Sequence, residues 1–85
     1  MEEIKKMRAK AKLLEPLIRI GKNGLTDTAI AEIRLMISKR QMIKVKMLEP
    51  FFAGKDKKEL AKEIAEKTNS LLVEAIGHVV VLHKK

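Results

Sequence analysis

The sequence predicts a small α/β layer fold, two to three layers thick, with the order helix, strand, helix, strand, helix, strand, strand around a mixed four-stranded sheet. Three observations lead there. Apolar residues recur at helical spacing in the stretches 4–14, 29–37 and 60–65. Short runs rich in β-branched residues separate and follow them, at 17–20, 42–48, 71–76 and 79–83. Alternation of the two kinds, closed by a hairpin, is the pattern of a sheet covered by helices.

Taken in order, Glu2 and Glu3 open the first helix, where acidic residues suit the positive end of the dipole. Ile4, Met7, Ala11 and Leu14 lie on one side of it, Lys5, Lys6, Arg8, Lys10 and Lys12 cover the rest, and Pro16 is expected to stop it. Leu17–Ile20 reads as the first strand. Behind the loop Gly21–Gly24, Thr26 or Asp27 can cap a second helix whose stripe is Ile30, Ile33 and Ile37, flanked by Ala29 and Met36. Residues 42–48 alternate: Ile43, Val45 and Met47 on one face, Lys44 and Lys46 on the other. Residues 49–55 read as a loop, with Phe51 and Phe52 expected to plug the end of the core rather than stack on a base. Asp56 with Glu59 resembles a capping box ahead of a third helix that buries Leu60, Ala61, Ile64 and Ala65, and Asn69 can end it.

Gly77-His78 suits a type II′ turn between the last two strands. Strict alternation then puts Leu71, Val73, Ala75, Val80 and Leu82 under the second and third helices. Leu72, Glu74, Ile76, Val79, Val81 and His83 fall on the other face, which the first helix is expected to cover in part.

A chain of 85 residues has room for one domain, residues 1–85, burying roughly 60–65% of its unfolded surface. Nineteen Lys and Arg against eleven Asp and Glu give a formal charge of +8, which favours a polyanionic partner. The absence of cysteine excludes a disulfide framework and a Cys-based zinc site and suits a cytoplasmic protein. No apolar run approaches the ~20 residues of a membrane span. Phe51 and Phe52 are the sole members of the Phe, Tyr and Trp group, which argues against a base-stacking platform of the RRM kind. His78 and His83 are the only histidines, no carboxylates are paired at catalytic or metal-binding spacing, and the phosphate-loop lysine signature is missing. An enzyme is therefore not expected, nor a metal, a cofactor or a small-molecule substrate.

The motif with the most chemical content is Ile-Gly-Lys-Asn-Gly-Leu-Thr-Asp at 20–27. Two glycines let the backbone turn sharply and approach a ligand, and the helix start behind them aims unpaired N–H groups at the loop, an arrangement that suits phosphate. Spacing alone is weak, since glycine at ~7% gives roughly 0.4 chance matches in such a chain. The strand before, the helix behind and Lys22 inside make it stronger. Lys22 is expected to meet phosphate, with Gly21, Asn23, Gly24 and Leu25 offering backbone amides. Arg19, Lys44 and Lys46 extend the basic surface if they share a face.

Residues 17–48, with Ile-Gly-Lys-Asn-Gly-Leu-Thr, Ala-Glu-Ile at 31–33 and Ile-Lys-Val-Lys at 43–46, resemble the chloroplast RNA splicing and ribosome maturation (CRM) domain in its stand-alone, YhbY-like form. The closing Ala-Ile-Gly and the Val-Val-Leu at 80–82 are also similar to that family's last hairpin. The resemblance implies an RNA-binding module with a fold similar to the C-terminal domain of translation initiation factor three. It also implies association with precursors of the large ribosomal subunit, and RNA contact through the loop that here is Gly21, Lys22, Asn23 and Gly24. Glu15 stands where a lysine is common, and His83-Lys84 replaces the usual Tyr-Arg. The reading that follows is a monomeric, non-enzymatic protein binding ribosomal RNA of the large subunit. The alternative is a small basic architectural protein that coats duplex DNA.

Overall fold

Met42–Met47 (β2) is an interior strand of the sheet, and its alternation leaves Ile43, Val45 and Met47 fully buried on one face and Lys44 and Lys46 half-buried on the other. The computed structural model describes residues 2–85, with Glu2 given by its backbone alone. Pro16–Ile20 (β1) pairs with β2 in parallel, and Val79–Lys84 (β4) pairs with it antiparallel on its other side. Ser70–Ile76 (β3) completes the hairpin with β4, giving the order β1-β2-β4-β3. A parallel pair needs a crossover. Here it is Asp27–Arg40 (α2), whose Ile33 and Ile37 are buried on the same side of the sheet as Ile43 and Val45. Gln41, at φ +70°, takes the sharp bend from α2 into β2, and its N–H donates to the Ile37 carbonyl at 2.9 Å.

Lys57–Lys67 (numbered α4, since a short helix precedes it) lies beside α2 and buries Leu60, Ala61, Ile64 and Ala65, the residues its sequence pattern predicts. Asp56 caps it by accepting from the Lys58 N–H at 2.9 Å. The other half of the expected capping box is replaced: the Glu59 carboxylate faces Lys62 at 3.8 Å. Asn69, at φ +51°, turns the chain left-handed into β3, the role expected of it. Glu2–Ala11 (α1) covers the opposite sheet face, where Ala11 packs with Met42, Val73 and Val81, and Met7 and Leu14 adjoin them. The result is helix, sheet and helices in three layers.

Three expectations are corrected. α1 ends at Ala11 rather than just before Pro16: tight turns, with Leu13 N–H on Lys10 O and Leu14 N–H on Ala11 O at 3.0 Å each, bring the chain out early. Pro16 disfavours helix in the residue before it and itself begins β1, so the exit has to precede it. Residues 49–55 are not all loop, because Glu49–Phe52 (α3) forms one helical turn with Pro50 in its first turn, where a missing N–H costs nothing. The expected element order therefore gains one helix. The hairpin's faces also differ from strict alternation. Ile76 opposes Val79 as expected, but the register slips between Leu72 and Glu74, so that both Val73 and Glu74 stand against Val81. The bulge moves Leu72 to the α2/α4 side and Val73 to the α1 side, while Ala75, Val80 and Leu82 stay where alternation puts them. An extra residue in one strand inverts the facing of everything on one side of it.

Ile64 is fully buried and Leu13 is 87% exposed. Urea unfolding should show Ile64→Ala losing ~2–5 kcal/mol and Leu13→Ala changing stability by no more than ~0.5 kcal/mol.

Candidate nucleic-acid interface

The end of the sheet where β1 and β2 both finish is also where the β3–β4 turn lies, and where α2 and α4 begin. Ile20 leads straight into Gly21, and its carbonyl accepts the Leu48 N–H at 2.9 Å, joining the tops of the parallel strands. Gly24 N–H donates to Gly21 O at 3.0 Å, so residues 21–24 form a closed turn with Lys22 and Asn23 exposed at its tip. Of the expected amide donors, Gly24 is thus already engaged. Among the described residues, the N–H groups of Gly21, Lys22, Asn23 and Leu25 have no hydrogen-bond partner in the protein. Leu25 is half-buried with its side chain against the main core, which anchors the loop's exit.

The two glycines do different work. Gly24 sits at φ +73°, and a Cβ built there meets the Phe51 ring at 4.0 Å. Gly21 is not in the left-handed region, and its Cβ would make ordinary contact with Leu48 Cδ1 at 3.6 Å. Phe51 is buried, so it is the expected plug, seated beneath the loop. Thr26 is the cap of α2: its Oγ1 accepts the Ala29 N–H at 3.1 Å. Asp27 stays exposed in the first turn, so its carboxylate is not turned into the cap.

Arg19, Lys44 and Lys46 do share a face. Arg19 and Lys46 are register partners on neighbouring strands, and Lys44 lies two residues back along β2 on the same side. Their face is the one α1 covers only in part. It leaves a groove of about 240 Å³ with an apolar floor of Ala11, Val79 and Val81, lined also by Lys12 and Lys44. Glu74, at its edge, is held by Arg8 at 3.7 Å. Among the described residues, none of Arg19, Lys22, Lys44 and Lys46 is within ion-pair distance of a carboxylate. No group of three or more described His, Cys, Asp or Glu residues could hold a metal ion, and no described helix is long and apolar enough to cross a membrane.

Sequence reasoning missed a second cluster at this end. Phe52 is half-buried, and its ring stacks on His78 with centroids 6.2 Å apart and planes 26° from parallel. Lys57 Nζ stands 5.0 Å from the Phe52 centroid, and Lys55 Nζ 5.8 Å from that of Phe51. The available signal was the Glu49-Pro50 pair, which opens a helical turn and sends adjacent phenylalanines in different directions.

Fold and site define a small α/β domain in which a glycine turn adjoins a cationic sheet face. The family model of the CRS1/YhbY (CRM) domain matches residues 1–84, and the chain belongs to that family. It is 34% identical over 79 residues to the probable RNA-binding protein YqeI of Bacillus subtilis, covering 93% of this chain and 80% of that one. A probable RNA-binding protein of Methanocaldococcus jannaschii, MJ0652, is 35% identical over 78 residues, covering 92% of this chain and 58% of its own length. The solution structure of SAV1595 from Staphylococcus aureus, described as a candidate RNA-binding protein, superposes with a TM-score of 0.80 at 34% identity, covering 99% of this chain and 85% of that one.

The difference between the glycines is measurable. Gly24→Ala forces a side chain into left-handed backbone and should destabilise by ~1–2 kcal/mol. Gly21→Ala should be neutral or stabilising by up to ~1 kcal/mol, through a less flexible unfolded chain. Thermal unfolding of the two variants checks both signs.

Proposed function

We propose that this chain, residues 1–85 acting as one unit, is a non-enzymatic RNA-binding protein that works in assembly of the large ribosomal subunit by contacting ribosomal RNA. RNA binding is supported by membership of the CRM family and by relatives described as probable RNA-binding proteins. The assembly role rests on what the family resemblance implies, and the assigned partner is ribosomal RNA in the cytoplasm, met by a monomer.

One observation carries the choice of site. Cations held side by side on adjacent strands repel each other, which costs stability, yet Arg19 and Lys46 are neighbours and no described carboxylate relieves them. A phosphate backbone would relieve them. Lys22 at the tip of the turn, together with the open N–H groups of Lys22, Asn23 and Leu25, supplies a second contact at the same end. In this reading Lys22 meets phosphate, Gly21 and Gly24 shape the turn so that the RNA backbone can approach, and Arg19, Lys44 and Lys46 follow the strand onward. Nothing in this set reads base edges, so it supplies affinity and register rather than sequence preference.

Replacing Lys22 and Asn23 together by glutamate should lower affinity for large-subunit RNA fragments at least tenfold at low salt, with folding intact. The wild-type salt dependence should have a slope of about −2 to −4, the value for a few neutralised phosphates on a single strand. Unchanged affinity would move the site elsewhere, and tighter binding of duplex DNA than of structured RNA in a gel shift would overturn the choice of RNA. In cells, crosslinking and sequencing should recover large-subunit ribosomal RNA with the wild type and not with the double variant.

The paired cations give a separate test with opposite signs. Lys46→Gln should raise stability at low salt by a few tenths of a kcal/mol while weakening RNA binding. A loss in both would mean that Lys46 is structural.

A further inference from the structure

We propose that the Phe52–His78 stack is a shelf for one unpaired base of the same RNA, so that this end of the sheet contacts a base as well as phosphates; the inference rests on the RNA-binding reading above. Phe51 is buried beneath Gly24 as a member of the main core. Phe52 packs against the edge of the same core but remains half-buried, and its ring also lies against an imidazole. Histidine provides the planar surface that a count of Phe, Tyr and Trp overlooks.

His78 is exposed, yet its position is fixed. Gly77, at φ +57°, sets the path of the turn, and the His78 carbonyl accepts the Met47 N–H at 2.7 Å, pinning the hairpin tip to the top of β2. A stack anchored in this way presents a flat ring to solvent without first having to be ordered, which is what a stacking contact requires. The charges beside it suit a nucleotide. Lys57 stands over Phe52 and Lys55 near Phe51, within reach of the flanking phosphates.

Next to the stack lies a groove of about 300 Å³ between Gly77 and the start of α4, lined by Asp56, Lys57, Lys58, Ala75 and Gly77. That volume is at the low end for a ligand site. Asp56 uses Oδ1 to cap α4. A carboxylate there repels phosphate but can accept from a base amino group or a ribose hydroxyl, so the groove suits the base or sugar and the lysines suit the backbone. The shelf and the glycine turn stand two or three strand spacings apart, about 10–15 Å, a span that a short single-stranded stretch can bridge. Stacking tolerates any base, so the shelf selects unpaired over paired RNA rather than one sequence over another.

The probes are a stem–loop from large-subunit ribosomal RNA and the blunt duplex of its stem. Wild-type protein should prefer the stem–loop. His78→Ala should weaken stem–loop binding about 5- to 100-fold and leave duplex binding within about twofold, a selectivity that a general loss of charge would not produce. His78→Tyr, which keeps a ring and removes any cationic contribution, should restore the preference. The chain has no Trp or Tyr, so His78→Trp installs a single reporter whose emission should be quenched by the stem–loop and not by the duplex. His78→Ala sits at an exposed turn, and its unfolding midpoint should match the wild type. If His78→Ala keeps the preference, or His78→Trp emission ignores the stem–loop while the Lys22/Asn23 double variant still loses affinity, the shelf is overturned and the RNA-binding reading stands. If the wild type binds neither probe, both fall together.

Discussion

The parallel pairing of β1 with β2 is the constraint on which the rest of this structure depends. Parallel neighbours must start at the same end of the sheet, so the chain has to travel back outside it, and α2 is that return path. The consequence is geometric. The end of β1, the glycine turn and the start of α2 follow one another within a few residues at the very edge where β2 also ends. The Leu48 N–H on the Ile20 carbonyl closes this junction, and α3, capping the top of β2, swings Phe51 under the turn. Had the first two strands been an antiparallel hairpin, the loop would have had no helix start behind it and no phenylalanine below.

Burial and charge are divided between the two sheet faces by the same alternation. On one side the isoleucines of β1 and β2, with Val80 and Leu82 of β4, meet α2 and α4 in the large core. On the other a smaller cluster around Ala11 holds α1 over only part of the sheet, and the uncovered part is where Arg19, Lys44 and Lys46 stand. The positions that fill the core therefore dictate where the cations must point, because a strand residue cannot turn inward without sending its neighbours outward. The cationic face follows from core packing and is not built separately from it.

Much of the site was legible for that reason. The turn at 21–24, the lysine within it and the alternation of residues 43–47 are local patterns, and local patterns survive in a sequence read by itself. The cap at Thr26 was one of two candidates, and the side-chain bond to Ala29 distinguishes it from Asp27. The cover of α1 over the second hairpin face was expected and found, but most of what stayed hidden needs two distant segments to be placed side by side. Nothing near Phe52 announces His78, which is far along the chain and meets it only because α3 and the last hairpin share the top of the sheet. The bulge at Val73 was invisible for a related reason. Leu71, Leu72 and Val73 are all apolar, so no polar residue marks which of them faces which core.

By itself, then, the sequence determined the layer fold, the order of its principal elements, most residues of the main core and the identity of the glycine turn. It could do so because periodicity, capping and the freedom of glycine act within a few residues. Tertiary structure alone decided the strand order β1-β2-β4-β3, the early end of α1, the slip in the last hairpin and the assembly of turn, cations and aromatic stack at one end. Those features depend on which apolar surfaces meet across the chain, and burial rewards contact between segments without regard to how far apart they lie in sequence.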